Sequence, residues 1–89
     1  MGASMVGHVT VLLFATARTA VGEPRLRWPC DPPTMTARSL VRSLAESYPK
    51  LEPTLRTSRF VLNGRYLASL AVRVHAGDEF AVHPPYGGG

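Results

Sequence analysis

The stretch Ala37 to Tyr48 constrains this chain more than any other. Ala37, Leu40, Val41, Leu44 and Tyr48 fall on one side at helical spacing, while Arg38, Arg42, Ser43, Glu46 and Ser47 fall on the other. Thr36 stands where an N-cap is wanted, and Pro49 ends the run. A helix with one apolar face must lie on something. The apolar residues elsewhere alternate in short runs, so the expected support is a sheet.

His8 to Phe14 puts Val9, Val11 and Leu13 on one face and Thr10, Leu12 and Phe14 on the other, a first strand whose outer face turns apolar toward its end. Ala15 to Gly22 is a weakly helical connection, and Arg25 to Trp28 alternates as a second strand, completing a hairpin. Asp31-Pro32-Pro33 breaks the chain before the helix, and after it Leu51 and Leu55 pin a loop or short helical turn to the core. Phe60 to Leu62 is a third strand. It turns at Asn63-Gly64, where both residues tolerate positive φ, and returns over Arg65 to Leu70. Val72 and Val74, within Ala71 to Ala76, are spaced for a short strand or an extended crossing. Gly77-Asp78-Glu79 is a turn, and Phe80 to His83 is the last strand, with Phe80 and Val82 inward and Ala81 and His83 outward. The order β-β-α-β-β-β implies an α+β roll, a mixed sheet with one main amphipathic helix packed on one face. Val11, Leu40, Leu44 and Phe80 are expected at the centre of its core.

At 89 residues the chain is expected to form one domain burying about 60 to 65% of its unfolded surface. That leaves no room for an enzyme with a deep pocket of its own. The one cysteine, Cys30, cannot form an internal disulfide, which favours a reducing compartment, and the cytoplasm is the expected location. Cys30 and Trp28 are expected to be structural. Met1 to Gly7 lacks a charged n-region, Val6 stands where a myristoylation signal needs Ser or Thr, and the apolar run Val11 to Ala15 is far too short to span a bilayer. Residues 1–7 are thus expected to be a loose leader, 8–83 the folded domain and 84–89 a tail.

The net charge of +4 comes from nine scattered arginines and Lys50 against six acidic residues. Nucleic acid would favour a basic stripe interleaved with aromatic residues, so a nucleic-acid partner is not expected, whereas an acidic protein partner is compatible. His8, His75 and His83 lack the short spacing of a metal site, and no metal is expected. Asp31, Glu46, Glu52, Asp78 and Glu79 form no recognisable acid/base pair, and no glycine-rich loop opens a helix to cradle phosphate.

The sequence closes on Pro84-Pro85-Tyr86-Gly87-Gly88-Gly89. The prolines stop the last strand and project the chain outward, and the glycines remove every Cβ. Six extended residues at roughly 3.3 Å each reach about 20 Å, enough to thread a narrow tunnel and place a terminal carboxylate in another protein's active site. The Gly89 carboxylate is therefore the expected reactive group, with Pro84, Pro85, Gly87 and Gly88 providing the reach.

The strand ending Val11-Leu12-Leu13-Phe14-Ala15, the Thr36 helix ending Tyr48-Pro49, the Asn63-Gly64 hairpin, Gly77-Asp78-Glu79 and the closing Pro-Pro-x-x-Gly-Gly together resemble the family of molybdopterin synthase small subunits. These are ubiquitin-like sulfur carriers with a β-grasp fold, and the resemblance spans about Val9 to Gly89. Tyr86-Gly87 and His83 depart from the family, which carries a small or apolar pair before the final glycines and often a large apolar residue at the position of His83.

The resemblance implies a carrier cycle with no cofactor bound to the chain. An adenylating, ubiquitin-activating-like enzyme uses ATP to convert the Gly89 carboxylate to an acyl-adenylate, and a sulfur donor enzyme replaces AMP to leave a thiocarboxylate. The loaded tail then enters the large subunit of molybdopterin synthase and supplies dithiolene sulfur to a pterin precursor. Matched position by position, the family's docking face falls on Phe14, Leu67 and His83. Strand alternation independently puts Phe14 and His83 outward. The same tail chemistry is open to carriers for thiamine thiazole, cysteine or a sulfur-containing secondary metabolite, and to a ubiquitin-like protein modifier. A small basic nucleic-acid-binding module would require the arginines to converge on one surface.

Overall fold

A computed structural model of the chain describes residues 7–30 and 34–85. Apart from Gly7, the expected leader lies outside those residues, as does Asp31-Pro32-Pro33. Strand β1 (Gly7–Leu13) leads into helix α1 (Ala15–Val21), and β2 (Arg25–Cys30) returns antiparallel to β1, with Val9 opposite Trp28 and Val11 opposite Leu26. Next come β3 (Thr34–Thr36), α2 (Ala37–Ser47), a 3-10 turn (Pro49–Leu51) and α3 (Glu52–Thr57). The chain finishes with β4 (Arg59–Leu62), β5 (Arg65–Tyr66), β6 (Arg73–His75) and β7 (Glu79–His83).

One five-stranded sheet has the order β2-β1-β7-β4-β5. The last strand lies at its centre, parallel to β1 and antiparallel to β4, so the sheet is mixed and the end of β7 emerges between its two long neighbours. Helix α2 crosses the inner face. The Thr36 hydroxyl accepts from the Ser39 N–H at 3.1 Å, satisfying one of the donors a helix start leaves open. Ala37, Leu40 and Leu44 are fully buried against Val9, Val11, Leu13, Phe80 and Val82, and Leu51 and Leu55 close the core from below. Phe60 stacks on Phe80 with ring centroids 5.5 Å apart. The expected core centre, Val11, Leu40, Leu44 and Phe80, has no exposed surface at all.

The turns follow local chemistry. Asn63 and Gly64 take φ of 49° and 87°, the mirror-image turn that matches strand twist, and Gly22 ends α1 at φ 91° with its N–H on the Arg18 carbonyl at 2.7 Å. One reading needs correction. The return strand expected over Arg65 to Leu70 pairs only at Arg65 and Tyr66. Beyond them the chain swings across the start of α2, where the Leu70 and Val72 carbonyls accept from the Arg38 and Ala37 N–H groups. The stretch Ala71 to Ala76 holds a strand, β6, which pairs with β3 in a separate two-stranded sheet that the sequence did not reveal. Ala81 points to the outer face as expected, yet is only 6% exposed because Leu12 and Val61 flank it on the neighbouring strands.

Candidate functional site

Among the described residues the outer face of the sheet carries no helix, and register decides what it shows. Leu13 lies beside Val82 and both point inward, so the next residues, Phe14 and His83, both point outward at the same end of the sheet. Their rings stack, with centroids 4.5 Å apart and planes 16° apart. Arg59 is opposite His83 on β4, and Tyr66 shares a face with its partner Val61. The Tyr66 ring stands 6.3 Å from His83, and the Arg59 guanidinium lies 6.0 Å from the Tyr66 ring centre. An apolar row of Leu12, Ala81, Val61 and Tyr66 runs across the sheet behind them.

Large apolar side chains are usually covered, and among the described residues two are not: Phe14 is 42% and Tyr66 66% exposed. A groove of about 360 Å³ runs from Arg59, Tyr66 and His83 to Pro84 and Pro85. On the other side of Phe14 a depression of about 390 Å³ is lined by Leu12 and Pro24 and by the cations Arg18 and Arg25. The aromatic surface thus sits at the root of the tail.

Of the residues singled out from sequence, the structure brings Phe14, His83, Pro84 and Pro85 together. Leu67 is placed differently. It was expected to be exposed on this surface, but it is half-buried and packs against the core, because Tyr66 takes the outward position and the next residue must turn in. Its N–H, given to the Phe60 carbonyl at 2.9 Å, fixes that orientation. Tyr66 itself was missed, although the two-residue Asn63-Gly64 turn sets Val61 opposite Tyr66 and would have placed it. Gly87, Gly88 and Gly89 lie outside the described residues.

At the opposite end of β7 a polar latch holds two turns together. The Asn63 amide donates to Asp78 Oδ1 at 3.0 Å and accepts from the Glu79 N–H at 2.9 Å, while Asp78 Oδ2 accepts from the His75 N–H at 2.8 Å. Partial burial opposes ionisation of Asp78, but the His75 N–H, the Asn63 amide and the nearby His75 ring outweigh it and hold the carboxyl below its ordinary range. Among the described residues, no group of three or more His, Cys, Asp or Glu side chains could hold a metal ion, and no helix is long and apolar enough to cross a membrane.

A mixed sheet clasping one helix, with its central strand running into Pro84-Pro85, defines a ubiquitin-like β-grasp protein. The chain belongs to the ThiS family of ubiquitin-like sulfur carriers, whose model matches residues 11–89. It is 28% identical over 86 residues to the molybdopterin synthase sulfur carrier subunit of Dictyostelium discoideum, covering 96% of this chain and 100% of that protein. Among solved structures, SAMP1 from Haloferax volcanii, a small archaeal modifier protein, superposes with a TM-score of 0.80 at 27% identity over 93% of this chain and 100% of that one. A chain of the complex of subunits 1 and 2 of the molybdopterin-converting factor from Helicobacter pylori 26695 shares the fold, with a TM-score of 0.68 at 21% identity over 92% of this chain and 99% of that one.

Proposed function

We propose that this protein is the sulfur-carrying small subunit of a molybdopterin synthase, a non-catalytic member of a sulfur-transfer complex. The Gly89 carboxylate attacks the α-phosphate of ATP on an adenylating partner and pyrophosphate leaves. Sulfide delivered by the donor then attacks the acyl carbon, the bond from that carbon to the AMP oxygen breaks, and AMP departs to leave the thiocarboxylate. Pro84, Pro85, Gly87 and Gly88 carry that group into the large subunit, where sulfur passes to the pterin precursor. Phe14 and His83 dock the partner, with Tyr66 beside them. One observation carries the reading: an uncovered aromatic stack lies directly before Pro84, where a partner that swallows the tail must press. Full-length similarity to the Dictyostelium discoideum sulfur carrier subunit and the fold shared with a subunit of the Helicobacter pylori complex support it.

A protein-modifier role has its own support in the closer structural match to the small archaeal modifier protein. Reconstitution separates the two. Thiocarboxylated protein mixed with a molybdopterin synthase large subunit and the pterin precursor is expected to form the dithiolene product stoichiometrically. Isopeptide conjugates on lysines, with no dithiolene, would favour the modifier.

A further inference from the structure

Helices α2 and α3 leave one strip of the inner face uncovered. A groove of about 440 Å³ opens there, floored by Val41 and Ala45 of α2, Leu55 of α3, Phe60 of β4 and Leu70. Arg38 and Arg42 stand on one bank and Arg56 on the other. Glu52 is the single acidic residue lining it, and its carboxylate already accepts from Arg56 Nε at 2.6 Å.

Arg38 gains little from α2, and Arg42 has only Glu46 one turn further along it. The two arginines lie one turn apart with like charge, which disfavours a helix, and Arg38 sits in a first turn that holds no acidic residue, where the helix dipole repels a cation. Neither forms an ion pair among the described residues. The groove also faces away from the aromatic surface, because Phe60 points inward while its neighbour Arg59 points out, so an occupant would not block the tail.

We propose that this groove is a second docking site, for an acidic amphipathic segment of a partner protein that binds while the tail is engaged elsewhere. Its aliphatic side chains seat on the apolar floor, and its carboxylates pair with Arg38 and Arg42. A small anion alone would leave that floor wet and meet only exposed guanidiniums, where isolated ion pairs are weak. Nucleic acid would need exposed rings to stack on, and the one ring here, Phe60, is 8% exposed.

The probe is a synthetic helical peptide with leucines at i, i+3 and i+7 flanked by glutamates, titrated into the uniformly 15N-labelled full chain. Amide shifts are expected at Val41, Ala45, Ser58 and Leu70 and not at Phe14, Tyr66 or His83. The double variant Arg38→Gln/Arg42→Gln should keep its melting temperature and its sulfur loading, yet bind the peptide about tenfold more weakly. Absence of binding, shifts on the outer face, undiminished binding by the double variant, or equal binding of a lysine-for-glutamate peptide would each overturn the proposal. So would tighter binding in the groove by AMP or an oligouridylate.

Discussion

The imidazole of His83 lies nearly flat on the ring of Phe14, 4.5 Å away, although the two residues are far apart in sequence. Parallel pairing of β1 with β7 brings them together, and both rings end at the point where Pro84 leaves the sheet. A surface ring held this way is already positioned for a partner, which lowers the ordering cost of binding.

Phe14→Ala should therefore weaken the complex with the large subunit by about 2 kcal/mol or more. Calorimetric titration measures that loss, and the melting temperature should hardly move because the ring is 42% exposed. Unfolding of the variant would show that Phe14 supports the core instead. Tyr66→Ala should behave in the same way.

Leu44→Ala acts on the opposite face. The side chain is completely buried between α2 and the sheet, and its removal should cost about 2 to 5 kcal/mol, a large share of the stability of a small domain. Denaturant midpoints check this. An unchanged midpoint would contradict the helix-on-sheet packing.

The latch at Asp78 makes stability depend on acid. Its pKa is lowered in the folded state, so its contribution is complete above the ordinary carboxylate value of about 3.9 and is lost as pH falls through the lowered one. Asp78→Asn should cost about 1 to 2 kcal/mol at neutral pH and flatten the acid limb of a stability profile below about pH 4. A variant that keeps the full acid dependence would assign that limb to other carboxylates.

Much of this was legible because it is local. The alternation of Val9, Val11 and Leu13, the Thr36 cap and the Asn63-Gly64 turn each state their geometry within a few residues. Strand β3 did not, since three residues carry no period, and β6 was left open between a strand and a crossing because its pairing, Met35 against Val74, joins distant parts of the chain. The latch was hidden for the same reason: Asn63 and Asp78 each read as turn residues, and only the sheet brings them together. Leu67 and Tyr66 show the cost of a one-residue shift in a strand, which exchanges the inner and outer faces.

The central claim rests on the Gly89 carboxylate, and intact-mass spectrometry tests it most directly. Wild type, a variant with one residue added after Gly89 and Gly88→Val are each incubated with the adenylating enzyme, ATP and a sulfur donor. Wild type should exchange one C-terminal oxygen for sulfur. Both variants should stay folded and load at least about a hundredfold more slowly, because misplacing a reacting atom by about 1 Å already carries such a penalty. Loading of the extended chain at the wild-type rate would show that the terminal carboxylate is not the reactive group and contradict the account.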